Sequence, residues 1–424
     1  MTKTTHCLII CVTAIFQLLT TTAMAQSKKA TPKRKVSGAE KAATPDLPAG
    51  VREYSSKNFV LRTDLTPTES EKLLERLEKM LVLVSGYFGK PNSQIIEMNV
   101  VQERKTWPPG SIPEEAMNSI LNNAGITLSV TTSQQNDQGE KQVMAAKSTV
   151  WAVANQGVPQ HEAVHAYCHQ NFGRTGPTWY SEGMAEMGQY WREKDDGVRI
   201  HDGVLKYLKT SEPKDLLEIT AEGQKTGDSW QNYAWRWALC HLLAANPNYA
   251  SRFKPLGMAL LNDQKTSFAD VYGPMAKEIS FEYLFFLKHI DQGYRCDLCA
   301  WDWKTKFSRL RGSASAQAKI SANRGWQASR VLLKAGDKIT FTATGDCTFK
   351  KDAPKTGPDG DANSVGRLVG ILFDDYQLSE PFELGASGEF ESPSDGNLFV
   401  RCQDAWNEIA DNTGSVTIKF KAAN

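Results

Sequence analysis

Histidine is scarce in this chain of 424 residues, which holds only 7. Charge of one sign is lacking too: 49 Lys and Arg against 48 Asp and Glu leave +1, so nothing in the balance points to nucleic acid or an anionic membrane as a partner. Past the first 25 residues no apolar run approaches 18, which excludes a membrane-spanning helix there. No internal repeat is evident. The chain has one C-x-x-C, Cys296 to Cys299. Without a second pair or a strand-helix-strand context around it, this spacing reads as a local disulfide rather than a zinc ribbon or a redox centre.

The N-terminus is where apolar residues do collect. Lys3, the run from Leu8 to Leu19 and the small-x-small sequence Ala23-Met24-Ala25 read as a secretory signal peptide over residues 1–25, cleaved before Gln26. A secreted or periplasmic location follows. No Cys stands just after the apolar run at the cleavage site, so a lipoprotein anchor is not expected. Lys28, Lys29, Lys33, Arg34 and Lys35 sit in a Pro/Ala/Ser-rich stretch, read as a disordered basic linker over 26–50.

Two of the few histidines fall in one block, His161-Glu162-Ala163-Val164-His165. On a helix, residues four apart share a face, so both imidazoles reach one tetrahedral Zn²⁺ while Glu162 is placed as general base. A third His six residues beyond His165 is absent, since Asn171 stands there. The next carboxylate in register is Glu182, 17 positions after His165 and past the turn signals Gly173 and Gly176-Pro177. A second helix returning over the first brings Glu182 to the pair, giving a His₂Glu site with one position open for water. Glu186, one turn further on, is set to accept the free ring N–H of a ligand histidine. The plainer reading is a surface helix with two histidines and solvated glutamates, and the register of Glu182 weighs against it.

The block and the following Trp179-Tyr180-Ser181-Glu182-Gly183-Met184-Ala185 resemble the gluzincin zinc metallopeptidases, over about residues 50 to 305. The resemblance implies His161, His165 and Glu182 as zinc ligands, Glu162 as general base and Glu186 as the carboxylate behind a ligand. It further implies that Tyr233, which opens Tyr233-Ala234-Trp235-Arg236-Trp237-Ala238-Leu239-Cys240-His241-Leu242-Leu243, donates to the oxyanion; core packing beside Trp235 and Trp237 is its plainer role. No G-A-M-E-N-type segment is present, so specificity for a free amino terminus is not implied. His169 and His241 stand at no spacing the site uses. The function expected is a secreted zinc-dependent peptidase. Its rivals are a catalytically inactive zinc-binding protein acting through a carbohydrate-binding module, and a zinc hydrolase of non-peptide amides.

Patterning places the motif in an α+β chain. Residues 52 to 64 read as a strand. Thr66-Pro67-Thr68-Glu69 is a capping box opening a helix with Leu73, Leu74, Leu77, Met80, Leu81, Val84 and Phe88 on one face, closed by Gly89 and Pro91. Strands near 95–102, 125–130 and 149–154 predict a small sheet over the metal helix, whose edge a peptide substrate can join. A helical lower subdomain follows from about 200 to 305, completing a peptidase domain over 51–308. After residue 312 the texture is short alternating strands and turns, an all-β sandwich over 312–424.

That last segment resembles the galactophilic bacterial lectins. The resemblance implies a calcium loop with Asp404, Asp411 and Asn412 as ligands beside the Glu408 carbonyl, and a glycan or glycoprotein partner, although the sugar-contacting residues are not reproduced. An Asp/Asn-rich turn between strands is the plainer reading. Six cysteines remain after cleavage of the signal, Cys168, Cys240, Cys296, Cys299, Cys347 and Cys402, and in an oxidising compartment Cys168–Cys240 and Cys347–Cys402 are expected to pair.

Overall fold

The computed structural model describes residues 47–135, 141–155, 157–221 and 229–423, so the expected signal peptide and most of the expected basic linker lie outside the described residues. The chain is α+β and divides into two compact units, one ending at Thr175 and the other beginning at Gly176.

The first unit contains β1 (Arg52–Ser55), β2 (Phe59–Thr63), α1 (Pro67–Phe88), β3 (Ile96–Val101), α2 (Glu114–Leu121), β4 (Gly125–Gln135), β5 (Lys141–Val153) and α3 (Val158–Phe172). The strand expected over 52–64 is in fact the hairpin β1–β2. Its turn is held by Glu78, whose carboxylate accepts from Ser56 Oγ and from Asn58 N and Nδ2, each at 2.7 Å. The capping box forms as written: Thr66 accepts from the Glu69 amide and Glu69 reaches back to the Thr66 amide, satisfying two donors that helix geometry leaves over. Leu73, Leu74, Leu77, Met80, Leu81 and Phe88 are buried, and Gly89 closes α1 at φ 70°, a left-handed turn that glycine enters without a Cβ penalty.

The sheet order is β1-β2-β3-β5-β4, with β2–β3 and β3–β5 parallel and β4 antiparallel on the edge. Five of the six residues of β3 are buried, as in a strand covered on both faces. The helix α3 packs against β5 and β4.

The described residues of the second unit begin with the helices α4 (Thr178–Tyr190), α5 (Asp202–Thr210), α6 (Leu216–Thr220), α7 (Trp230–Ala245), α8 (Ala250–Leu261), α9 (Phe268–Tyr272) and α10 (Ala276–His289). The backbones of α4 and α7 meet at Gly183, where an added Cβ would stand 2.3 Å from Cys240 Sγ and 2.9 Å from the Arg236 carbonyl. Trp237 contacts Tyr190 at 5.8 Å between rings while Cys240 faces the Trp179 carbonyl, so the two helices run antiparallel.

A β-sandwich follows. One sheet holds β7 (Gln327–Leu333), β10 (Leu368–Asp374), β11 (Gln377–Leu378), β12 (Phe382–Glu383) and β14 (Gly396–Cys402); the other holds β6 (Ser315–Ser321), β8 (Lys338–Thr344), β9 (Cys347–Thr348), β13 (Ser387–Glu391) and β15 (Thr413–Ala422). Alternate residues such as Ile339, Phe341, Val416, Ile418 and Phe420 fill the space between the sheets with Leu368, Leu372, Leu398 and Val400.

The sandwich is not tethered by a loose linker. Phe285 of α10 packs with Trp301, Trp326, Ile371 and Phe399 in one core cluster, Trp301 and Phe399 lying 4.2 Å apart between rings. The buried Arg401 guanidinium sits 3.6 Å over the Trp406 ring, and Asn407 Nδ2 donates to the Gln292 carbonyl at 3.1 Å. The boundary expected near 308–312 therefore falls inside the second unit.

The cysteines require a correction. All six are buried free thiols, so none of the three expected disulfides is formed. Spacing gave residue pairs, whereas a bridge needs sulfur atoms at bonding distance with matching Cβ directions, which only the packed chain specifies. Cys347 and Cys402 are nonetheless hydrogen-bonded neighbours in the sandwich core. Among the described residues no helix is long and apolar enough to cross a membrane.

Candidate metal centre

The helix α3 starts from Gly157 at φ 79° with Pro159 in its first turn, and stops at Gly173 at φ 76°. Both glycines occupy left-handed positions, and Pro near a helix start removes a donor that has no partner there. Twelve of its 15 residues are buried, from Pro159 through Cys168 without a break, so this helix has no solvent-exposed face. Buried polar side chains on such a helix must be satisfied by something, and His161, Glu162 and His165 are each 6 to 8% exposed.

The two imidazoles converge, with His161 Nε2 and His165 Nε2 3.2 Å apart. Glu182 of α4, 5% exposed, completes a buried group whose three ligand atoms lie within 4.8 Å of one another. The donor set fits zinc: bonds of about 2.05 Å to two nitrogens of a tetrahedron put those nitrogens about 3.3 Å apart. It is the one set of three or more His, Cys, Asp or Glu side chains close enough to hold a metal among the described residues.

Glu162, beside the first histidine, is held from β4. Thr127 donates its hydroxyl to Glu162 Oε2 at 2.8 Å and approaches the Glu162 carbonyl at 3.0 Å. Sequence reasoning missed Thr127, because the two residues are 35 apart and no spacing rule links a strand threonine to a helix glutamate. Glu186 is 6% exposed. Tyr190, one turn on, is hydrogen-bonded to it; burial first, and the Glu186 charge second, push the Tyr190 phenol far above its ordinary range.

Tyr233 lies in the first turn of α7, half-buried, with the Arg236 guanidinium 5.6 Å over its ring. It sits on the helix face that carries Arg236 and Cys240, the residues against which Gly183 packs. Among the described residues His169 and His241 belong to no group of three or more His, Cys, Asp or Glu side chains close enough to hold a metal. Burial lowers both to about 4, aided for His169 by the neighbouring His165, and His241 stacks on Trp237 at 5.0 Å.

The loop expected to bind calcium is held by hydrogen bonds among its own residues. Asp404 Oδ2 accepts from Asn412 Nδ2 and Asp404 Oδ1 from the Ala405 amide, both at 2.8 Å. Asn412 is 2% exposed and its Oδ1 is a buried acceptor with no hydrogen-bond partner. Asp411 and Glu408 are exposed. Residues 407, 408, 410 and 411 instead line a polar cavity of about 460 Å³ shared with Asp195, Arg199, Arg295 and Lys350.

No protein-family model matches the chain, and no curated protein does. Weak structural neighbours exist. A PllA-like lectin, the EclA N-terminal domain, is 22% identical, with 26% of this chain and 96% of that chain covered at a TM-score of 0.23. IMPa from Pseudomonas aeruginosa, solved with an O-glycopeptide, is 13% identical, with 57% of this chain and 27% of that chain covered at a TM-score of 0.18. A functionally unknown conserved protein from Bacillus anthracis str. Ames is 11% identical, with 26% and 22% covered at 0.16. The chain thus spans about a quarter of the length of these last two.

Proposed function

We propose that this protein is a secreted zinc-dependent peptidase of gluzincin type. The observation that carries the reading is the buried His161, His165 and Glu182 group with Glu162 fixed beside it. His161 Nε2, His165 Nε2 and a Glu182 carboxylate oxygen would hold the zinc, which when bound supplies a Lewis acid that acidifies water and polarises a carbonyl.

The chain's own residues do the rest. Glu162 takes the proton from the attacking water and passes it to the leaving amine, a role that suits a buried carboxylate whose orientation is set. Tyr233 donates its hydroxyl to the oxyanion, worth about 3 kcal/mol if it is formed only in the transition state. Glu186 orients a ligand imidazole from behind. The edge strand β4 accepts the substrate backbone as an added strand, which suits an extended peptide. The sandwich presents the catalytic unit to a glycan, glycoprotein or cell surface.

The test uses the mature chain from Gln26: bound zinc by elemental analysis, and chelator-sensitive cleavage of a mixed-sequence peptide library, with Glu162→Gln in parallel. Stoichiometric zinc with cleavage lost in the variant is the expected result. Cleavage retained by Glu162→Gln overturns the assignment of the base, and zinc without cleavage in the wild type overturns the peptidase reading.

A further inference from the structure

Two residues of β4 make sense only together with Glu162. Gly125 and Thr127 are two apart on a regular stretch of the strand, paired with Ala152 and Val150 of β5, and so face the same side. A Cβ on Gly125 would stand 2.6 Å from Glu162 Cγ and 2.9 Å from Glu162 Oε1. Gly125 is not among the glycines at positive φ, so clearance and not backbone conformation demands the missing side chain. On the same face the Thr127 hydroxyl, in a residue 5% exposed, reaches Glu162 Oε2 at 2.8 Å.

We infer that Gly125 and Thr127 are positioning residues for Glu162: the glycine is a slot through which the side chain passes, and the threonine is a clamp on one carboxylate oxygen. The inference rests on the peptidase reading above. A hydroxyl has one proton to give, and a bond to a carboxylate is stronger than one to a carbonyl, so Oε2 is the oxygen held. A glutamate has three side-chain torsions, and without slot and clamp its carboxylate samples orientations from which proton transfer fails. Displacement by about 1 Å at a reacting group is enough to cost about 100-fold in rate.

The experiment compares Thr127→Val, which keeps shape and loses the hydroxyl, with Thr127→Ser, which keeps the hydroxyl, and with Gly125→Ala, all in the full mature chain. Four quantities are read: zinc content, thermal midpoint, kcat and KM on a fluorogenic mixed-sequence peptide library, and the affinity of a peptidyl hydroxamate, whose hydroxyl proton the base accepts. In Thr127→Val, kcat is expected to fall about 30-fold with KM changed less than about twofold, and hydroxamate affinity about tenfold, with zinc retained. Thr127→Ser is expected to stay within about threefold of wild type on both readouts, and Gly125→Ala to lose at least as much as the valine variant.

Wild-type kcat and hydroxamate affinity in Thr127→Val, or a serine variant as impaired as the valine one, overturns the clamp. Loss of zinc or of the fold in Thr127→Val likewise overturns it, by making the residue structural. If the wild type cleaves no peptide, the peptidase reading fails, and the hydroxamate comparison still decides whether Thr127 sets the carboxylate.

Discussion

Two sites of this chain were marked by polar residues at suggestive spacings, and they were built in opposite ways. Around His161 every residue of interest is carried by a regular element, and the ligand atoms are buried and convergent. Around Asp404 the residues are spread over a loop and the single 3-10 turn Ile409–Asp411, Asp411 is exposed and the Asp404 carboxylate is occupied by hydrogen-bond donors. The difference teaches that a spacing has predictive force in proportion to the regularity of the element that carries it. Four residues on a helix fix a direction to within a few tens of degrees; eight residues of loop fix almost nothing.

The largest effects should fall on the helix-borne site. His161→Ala is expected to abolish stoichiometric zinc binding and cleavage together, as removal of one of three ligands from a catalytic zinc does. Elemental analysis and the peptide assay check this, and full zinc occupancy in the variant would leave the two sites equal. Tyr233→Phe comes next, with kcat down about 100-fold and the thermal midpoint within about 2 °C of wild type. If the midpoint falls and kcat holds, Tyr233 is a core residue.

A third prediction concerns how firmly the sandwich is attached. Glu282 of α10 is 5% exposed and accepts from Asn248 Nδ2 at 3.0 Å and the Trp301 amide at 2.6 Å, tying helix to seam. Burial raises its carboxyl from 4.5 to about 7, against the opposing pull of those donors. A carboxyl raised on folding binds more protons in the folded state. Its contribution to stability is therefore complete below about pH 4.5 and is lost as pH climbs through about 7. Wild type should lose about 5 °C in midpoint across that window, and Glu282→Gln should show a flatter profile in one cooperative transition for sandwich and helices. Separate transitions would make the sandwich an independent module after all.

Calcium should produce the smallest change. With Asp404 already satisfied, 1 mM calcium is expected to shift the midpoint by less than about 2 °C, and Asp411→Ala to leave that shift unaltered. A larger, EGTA-reversible shift lost in Asp411→Ala would show that the loop reorganises around the ion and would erase the contrast drawn between the two sites.

Several particulars explain what was legible. The capping box at Thr66, the apolar face of α1 and its glycine stop were readable because each is a local rule satisfied within one or two turns. The single strand expected over 52–64 became a hairpin because Glu78, some 20 residues away, stabilises a turn at Ser56 to Asn58. The helix α3 was found through its histidines and not its amphipathicity, since a helix buried on nearly all sides has no periodic apolar face to detect.

By itself the sequence determined the helix register that aligns His161 with His165 and the turn signals that let α4 begin before Glu182, because both depend on bonds within a few residues. The tertiary structure decided which distant atoms meet: Thr127 with Glu162 across 35 residues, Gly125 beneath the same side chain, Phe285 of α10 in the sandwich seam, and six sulfurs left as thiols. Those contacts arise when strands pair and layers pack, and the chain between their partners carries no local signal of where they will land.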